Sequence, residues 1–415
     1  MRISKFIAYY TSVAKELGFK KLILLPFALI IVLMMMILSK FLKIKVHRVE
    51  NDRLGHFAAH TELFYLSTIN AGKKSLFPQM NIYCVASVKS ANAYLEKMWR
   101  RTFLFIPGNF GWLITDLLKR MPKNQILKWG TQNDREGRLL TSLPSLTFTV
   151  NEIDSGRNFL KKLGLKEADK FVCLNVRDSS YLRETENLGW TKRHDWSHHD
   201  YRDSDINTYI DAAETLAEMG YTVFRMGKVV KEPFSSKHPR VFDYAKNGMR
   251  TEFLDIFLGA QCTFCISTGT GWDSIPMIFH RPSMYINHLP HFGVDNITRT
   301  LIIYPKTLLE QKSQNILNLS QIVERELQTR HDGHEYAKSG IELRNMSSEE
   351  LVQAVTEMAE RVEGKFVPTE QQKLMQEKLR HELTTNTKVQ PSPGFYPIRA
   401  EYASCFLSNY PNFLD

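Results

Sequence analysis

Apolar and polar positions alternate along this chain in a regular order of short β-type runs and longer helix-type stretches. An uncharged apolar run, Leu22–Leu38, comes first. Ile44–Val49 reads as a strand and leads through a polar loop into a helix over Phe57–Ala71, apolar at Phe57, Leu63, Phe64 and Leu66. Asn81–Ala86 and Thr102–Ile106 read as strands separated by a helix over Ala91–Arg101, and Phe110–Met121 is amphipathic. Residues 130–165 show no clear period. A second series then opens with Phe171–Val176, followed by a long polar loop over 179–204 and a helix over Asp205–Met219, striped by Ile206, Ile210, Ala213 and Leu216. Tyr221–Met226 and Val241–Tyr244 read as strands, and Glu252–Gly259 as a helix. The stretch Cys262–Asn287 reads as strand, glycine turn, short helix (Trp272–His280) and strand (Ser283–Asn287). After residue 300 the pattern turns helical: Ile316–Thr329, Ser347–Glu363 behind a Ser-Ser-Glu-Glu capping box, and Thr369–Leu383.

Strand alternating with helix predicts a parallel sheet covered on both faces. Two such series predict an α/β protein with two Rossmann-like domains facing a cleft, over 44–166 and 167–365. Residues 1–43 form a membrane-associated segment ahead of them, and 366–415 a helix with a tail. That tail carries Phe395, Tyr396, Tyr402, Phe406, Tyr410 and Phe413, too many aromatics for a disordered end, so it is expected to dock.

Charge changes the picture of the first block. The chain has a net charge of +10, and residues 1–50 hold nine basic residues against two acidic ones, so seven of those ten charges lie there. The remainder is nearly balanced, which argues against a nucleic-acid groove. Lys20, Lys21 and Lys40 flank Leu22–Leu38, a run about 26 Å long as a helix, slightly short of a hydrocarbon core, and Pro26 would kink it. No small-residue cleavage site follows, which argues against a signal peptide. A single-span anchor, a one-leaflet segment with lysines on anionic headgroups, and a buried core helix remain open. Five cysteines, an odd number, point to a reducing compartment. Cys262 and Cys265, three apart on a strand, point to opposite faces and read as core residues rather than a metal pair.

Candidate chemistry lies where strands end. Ser267, Thr268, Gly269, Thr270 and Gly271 form a turn of small residues whose amides, with the helix behind them, suit a diphosphate; an ordinary βαβ turn is the alternative. Asp273 at the helix start is placed to meet a ribose or sugar, or to serve the helix start alone. Arg177, Arg225 and Lys228 follow neighbouring strands, so they would converge on a leaving diphosphate, unless Arg177 pairs with Asp178 or Asp205. His56 follows the first strand and is the candidate base, with Asp52 and Glu62 as rivals and a capping or packing role as the alternative. The segment from Asp195 to Asp205 holds His198, His199, Asp200, Tyr201 and Arg202. It reads as a substrate-covering loop in which Ser204 and Asp205 cap the next helix, and no obligatory metal is expected.

The order and spacing of several pieces resemble a family of bacterial glycosyltransferases of the GT-B type, linked to surface polysaccharide or lipopolysaccharide synthesis. The similar pieces are Arg53–His56 with Thr61–Leu63, Asn175–Tyr181, Tyr201–Ile206 with Tyr209, Gly220–Gly227, Ser267–Gly269 with Pro282 and Asn287, and Gly340–Leu343 through Ser347–Glu350. The resemblance covers most of residues 44–365, and the longer N-terminal apolar run departs from it. It implies a GT-B fold, a nucleotide-sugar donor on the C-terminal domain, a membrane-linked glycan or lipopolysaccharide-type acceptor on the N-terminal domain, and no bound metal or other cofactor. The implied place of work is the cytoplasmic side of the inner membrane. A nucleotide-sugar epimerase or hydrolase, and a non-catalytic membrane-tethered scaffold of polysaccharide assembly, are the competing readings.

Overall fold

The computed structural model describes residues 11, 18, 22–73, 79–121, 126–129, 134, 137–187, 197–289, 301–328, 330–386 and 401–415. The chain divides into two compact units, residues 1–133 with 145–148, and residues 134–144 with 149–415.

The first described helix of unit 1 is α1 (Leu24–Leu38). Pro26 falls in its first turn, where a missing N–H is one of the unpaired donors in any case, so it starts the helix instead of kinking it. Leu25, Ala28 and Val32 pack into a core with Ile44, Val46, Leu113 and Ile114. No helix among the described residues is long and apolar enough to cross a membrane. The expected flanking residues Lys20 and Lys21 lie outside the described residues.

Four parallel strands follow: β1 (Lys43–Val49), β2 (Gln79–Val85), β3 (Phe105–Ile106) and β4 (Leu127–Trp129), ordered β3-β2-β1-β4. A π-helical turn, His56–His60, leads into α2 (Thr61–Lys73). Next comes α3 (Ala93–Thr102), started by Asn92, whose side chain accepts from the Leu95 amide at 2.8 Å. Then α4 (Gly108–Arg120) crosses the end of β3 so closely that a Cβ on Gly111 would sit 1.9 Å from the Ile106 carbonyl oxygen. Helix α1 packs beside α4 on one face of the sheet. On the other, His47 stacks on Tyr83 and meets Phe64 of α2 edge-on.

Unit 2 gains a helix from the stretch that shows no sequence period. Thr149 and Glu152 form a reciprocal capping box that starts α5 (Val150–Lys162). Gly156 in α5 lies against the Phe257 ring, where a Cβ would come within 2.2 Å, and this packing ties the helix to unit 2. The division therefore falls between residues 133 and 149 rather than at 166.

The sheet strands are β5 (Phe171–Asn175), β6 (Thr222–Arg225), β7 (Val241–Phe242), β8 (Phe264–Ser267), β9 (Ser283–His288), β10 (Leu301–Pro305) and the tail strand Glu401–Tyr402. All pairings are parallel, in the order tail, β10, β9, β8, β5, β6, β7. Helices α6 (Ile210–Glu218), α7 (Glu252–Gln261), α8 (Ser274–Ile278) and α9 (Ser348–Val362) accompany it, α9 starting at the expected box of Ser347 and Glu350. The region after residue 300 holds the expected helix over Glu370–Thr385, but the one expected over Ile316–Thr329 is short. The region also adds β10 and an antiparallel pair, Thr307–Glu310 with Ile341–Arg344, while Asn318 caps a short helix over Leu319–Glu324. The loop over 179–204 carries a helix over Ser180–Asn187 and a 3-10 turn over Ser197–Arg202; residues 188–196, including Asp195, lie outside the described residues. The tail docks, with Tyr402, Phe406 and Phe413 in the core of unit 2; Phe395 and Tyr396 are outside the described residues.

Candidate functional site

In unit 2 the C-terminal ends of β5, β8 and β9, and the first residue past β10, lie along one edge of a parallel sheet, where ligands of such sheets bind. The turn after β8 is held by its own side chains. The Ser267 hydroxyl donates to Asp273 Oδ2 at 2.8 Å and accepts from the Gly269 amide at 3.1 Å. The Thr270 amide donates to the same carboxylate at 2.8 Å, and the Trp272 amide to Thr270 Oγ1 at 3.1 Å. Thr268 closes the turn onto β5: its amide donates to the Asn175 carbonyl at 3.2 Å, and its hydroxyl accepts from the Arg177 amide at 2.9 Å. The Asn175 side-chain amide reaches Thr270 Oγ1. Gly269 has φ +81°, which explains a glycine at that position.

This geometry corrects three expectations. The amides of Thr268, Gly269, Thr270 and Trp272 are taken by internal acceptors, so they form no ready phosphate cradle. The helix behind the turn starts at Ser274, two residues after Trp272 with Pro276 in its first turn as that proline requires, but ends at Ile278 rather than His280. Asp273 itself is buried and braces the turn; burial raises its pKa to about 6 against the Thr270 and Ser267 bonds, which lower it. It does not stand open to a ribose.

Cations assemble beside the turn instead. Arg177 Nε lies 3.0 Å from Asp203 Oδ1, close enough for an ion pair, yet neither atom is aligned to hydrogen bond. Arg177 Nη2 and Arg202 Nε are also buried, with no hydrogen-bond partner among the described residues. Burial, then the Arg202 charge, pulls the Arg177 pKa down, opposed by Asp203 and Asp200. Arg202 also acts on Asp273, which brings it to the turn. Lys306, immediately after β10, is buried and donates to the Asp203 carbonyl at 3.0 Å; burial lowers its pKa to about 8. Asp203, half-buried and with its carboxyl pushed up to about 6 mainly by burial, lies beside Arg177 and Lys306. A dianion would supply acceptors for the guanidinium groups and balance the charge.

The other expected cations sit elsewhere. Arg225 is buried and donates to Asp243 Oδ1 at 3.0 Å; Asp243 also accepts from the Phe234 amide, so Arg225 is part of a structural pair. Lys228 lies in the field of Arg250, Glu252 and Asp255. Tyr201 packs near Tyr336, and Asp205 accepts from the Asn207 amide at 2.9 Å, the capping role. An open cavity of about 870 Å³ bordered by Gln328, Arg330, His331, Asp332 and Glu335 contains none of the expected site residues.

In unit 1 the chemistry gathers after β1. Glu50 Oε2 lies 3.0 Å from His56 Nδ1 and 3.8 Å from His60 Nδ1, and the two rings stack at 4.4 Å. Hydrogen bonds from His56, then from His60, hold the Glu50 carboxyl well below the usual carboxylate range. The π-helical turn sets the two histidines on one side; such turns are frequent at functional sites. A carboxylate at Nδ1 fixes the tautomer that leaves Nε2 able to accept a proton. Asp52 is exposed on a bend. Glu62 is buried, accepting from the Ser145 amide at 2.9 Å, and is placed as a tether rather than a base. Sequence reasoning missed Glu50, His60 and Lys306. Among the described residues Glu50, His56 and His60 are the only group of three that a metal ion would fit, and His198, His199 and Asp200 do not converge on one point.

No protein-family model and no curated protein matches the chain. Similar solved structures include the E. coli ADP-heptose lipopolysaccharide heptosyltransferase II, at 11% identity and a TM-score of 0.39, covering 63% of this chain and 90% of that one. A glycosyl transferase of family 9 from Veillonella parvula has the same identity and score, with 63% and 86% covered. E. coli heptosyltransferase WaaC with ADP-2-deoxy-2-fluoro heptose has 12% identity and a TM-score of 0.27, with 63% and 92% covered. All three are glycosyltransferases, the class the sequence resembles. The likeness is too distant to assign an activity to this chain.

Proposed function

We propose that this protein is a glycosyltransferase that moves a sugar from a nucleotide-diphosphate sugar to a hydroxyl of a glycan or lipid-linked acceptor of the lipopolysaccharide type. The observation that carries the reading is the cluster of half-buried Arg177 and Arg202 with buried Lys306, whose guanidinium nitrogens include some that lack acceptors among the described residues. In the reaction the acceptor oxygen bonds to the anomeric carbon as the bond from that carbon to the diphosphate breaks. The acceptor proton passes to a base, and His56 Nε2, with Glu50 at its Nδ1, is the candidate that unit 1 offers. Charge developing on the departing diphosphate falls on Arg177, Arg202 and Lys306, so the step needs no metal ion in this proposal. Nucleotide sugars are made in the cytoplasm, so the working face belongs on the cytoplasmic side of the inner membrane.

The test is a thermal-shift panel with UDP, GDP, ADP, CMP and dTDP, each with and without Mg²⁺. At about a hundred times its dissociation constant, a bound nucleotide stabilises by about 2.7 kcal/mol. One nucleotide is expected to raise Tm without metal, and Arg177→Ala or Lys306→Met to weaken it roughly 10- to 100-fold, as for loss of a charged hydrogen bond. His56→Ala is expected to leave that binding intact and lower turnover by about 10²- to 10⁴-fold. Tm unmoved by every nucleotide would remove the donor site and the proposal with it.

A further inference from the structure

Large apolar side chains that face solvent are not spread evenly over this molecule. Of the nineteen that are exposed among the described residues, ten lie between Ile23 and Leu42. Along α1 and the turn after it, Phe27, Ile30, Met34, Ile37 and Phe41 recur at alternating steps of three and four, which sets them on one side of a helix. Their exposures run from 54% to 81%, so the patch is open along its whole length. The opposite side, Leu25, Ala28 and Val32, is buried against Ile44 and the residues of α4. Contiguous exposed apolar surface of this kind marks an interaction site.

Three facts choose the occupant. First, one face of α1 is already committed to the core of unit 1, and its 15 residues reach only about 22 Å, so it is neither free nor long enough to span a bilayer. Second, cations accompany the patch: exposed Lys40 and Lys43 bracket Phe41 and Leu42, and Lys43 and Lys128 both act on the ammonium of Lys45. Residues 1–50 carry seven of the ten net positive charges of the chain. Third, a second copy packed face to face through α1 would bring these like charges together, whereas anionic headgroups would neutralise them.

We infer that unit 1 docks on an anionic lipid surface through the exposed face of α1, which lies in the plane of one leaflet with Phe27, Ile30, Met34, Ile37 and Phe41 among the acyl chains. Lys40 and Lys43 then sit at the headgroups, where long basic side chains anchor an interfacial helix. Such docking would hold unit 1 at a surface that carries lipid-linked acceptors, the acceptor class proposed above. Lipid docking and nucleotide binding are measured separately, so either can fail alone.

The experiment is co-sedimentation of the full chain with vesicles of phosphatidylcholine, and of phosphatidylcholine mixed with phosphatidylglycerol. The expected result is binding to the anionic vesicles that weakens with salt. The triple variant Phe27→Asp, Ile30→Asp, Met34→Asp should lose binding while keeping Tm, because these side chains support no core. Lys40→Gln and Lys43→Gln should each weaken binding to the anionic vesicles by roughly fivefold, the worth of one basic residue near a charged leaflet. Spin labels at Ile23→Cys and Ile37→Cys, about 21 Å apart along the helix, should report similar depths. Unequal depths would indicate a span and overturn the in-plane arrangement. Absence of vesicle binding, or full binding by the triple variant, would overturn the inference. A dimer in light scattering that the triple variant abolishes, without vesicle binding, would identify a second copy as the occupant instead.

Discussion

Single side chains in this protein are legible by type long before they are legible by role. Glu62 is the clearest case. In sequence it is a carboxylate six residues past His56 and therefore a rival base. In the fold it is buried, with Oε1 on the Ser145 amide and Oε2 without a hydrogen-bond partner among the described residues. Burial raises its pKa from an ordinary 4.5 to about 7, while the Ser145 bonds lower it. The sign of the consequence follows from linkage: the folded state holds this proton more tightly than the unfolded chain. The stabilisation is fully present below about pH 4.5 and is lost as pH rises through 7. Glu62→Gln should therefore flatten the stability profile between those pH values, an effect on the order of 3 kcal/mol. Denaturant melts of wild type and variant at pH 4.5, 6 and 8 would show it. Parallel profiles would mean that Glu62 titrates as an ordinary exposed carboxylate. Glu50 went unread for the opposite reason. A glutamate at a strand end is unremarkable until the π-helical turn brings His56 and His60 to its carboxylate.

At the scale of elements, the turn 267–273 shows how spacing fixes shape better than purpose. The expected strand, glycine turn and helix are all present, and Gly269 has the positive φ that a turn of this kind needs. The amides expected to face a phosphate face Ser267, Thr270 and Asp273 instead, because small polar residues in sequence order satisfy their own backbone at short range. Asp273→Ala should thus act on stability. It leaves the Thr270 amide and the Ser267 hydroxyl buried without an acceptor, at a cost of about 2–4 kcal/mol and a lower Tm. An Asp273 that held a ribose would show weaker nucleotide binding with Tm unchanged, so the pair of measurements separates the roles. Elements with a strong period or cap were readable: β5, β6, α6 and the Ser347 capping box fall where the pattern put them. Those that depend on partners far along the chain were not. Helix α5 did carry a local signal that went unread, its Thr149–Glu152 capping box, although Gly156 against Phe257 is what ties it to unit 2; β10 depends on neighbours on both edges. Lys306 was overlooked along with the strand that delivers it.

For the whole molecule, the aromatic tail is where sequence and fold agree most directly, and it closes unit 2 at a distance of many residues. Glu401 and Tyr402 extend the sheet beside β10. Glu357 of α9 accepts from the Ser404 and Cys405 amides at 2.9 Å each, serving as the cap of a short helix over Ser404–Asn409, and Arg361 joins Glu357 to Glu401. Tyr402, Phe406, Leu407, Phe413 and Leu414 are all buried in the core of unit 2. At about 1.5–3 kcal/mol for each large side chain, their burial amounts to roughly 10 kcal/mol, comparable to the whole stability of an ordinary domain. A chain ending at Asn386 is therefore expected to lose the fold of unit 2, seen as rapid proteolysis within residues 149–386 and loss of nucleotide binding. Phe406→Ala is the graded version, expected to cost about 3–5 kcal/mol and to lower Tm without abolishing the transition. The two results together locate the effect. If the truncated chain kept the wild-type Tm and bound nucleotide normally, the tail would be a covering for the sheet edge rather than part of its core, and the Arg177 cluster would stand on β5, β8 and β9 alone. If both variants fail in the expected order, Lys306 explains why the tail matters to chemistry: it sits one residue beyond the strand that the tail pins.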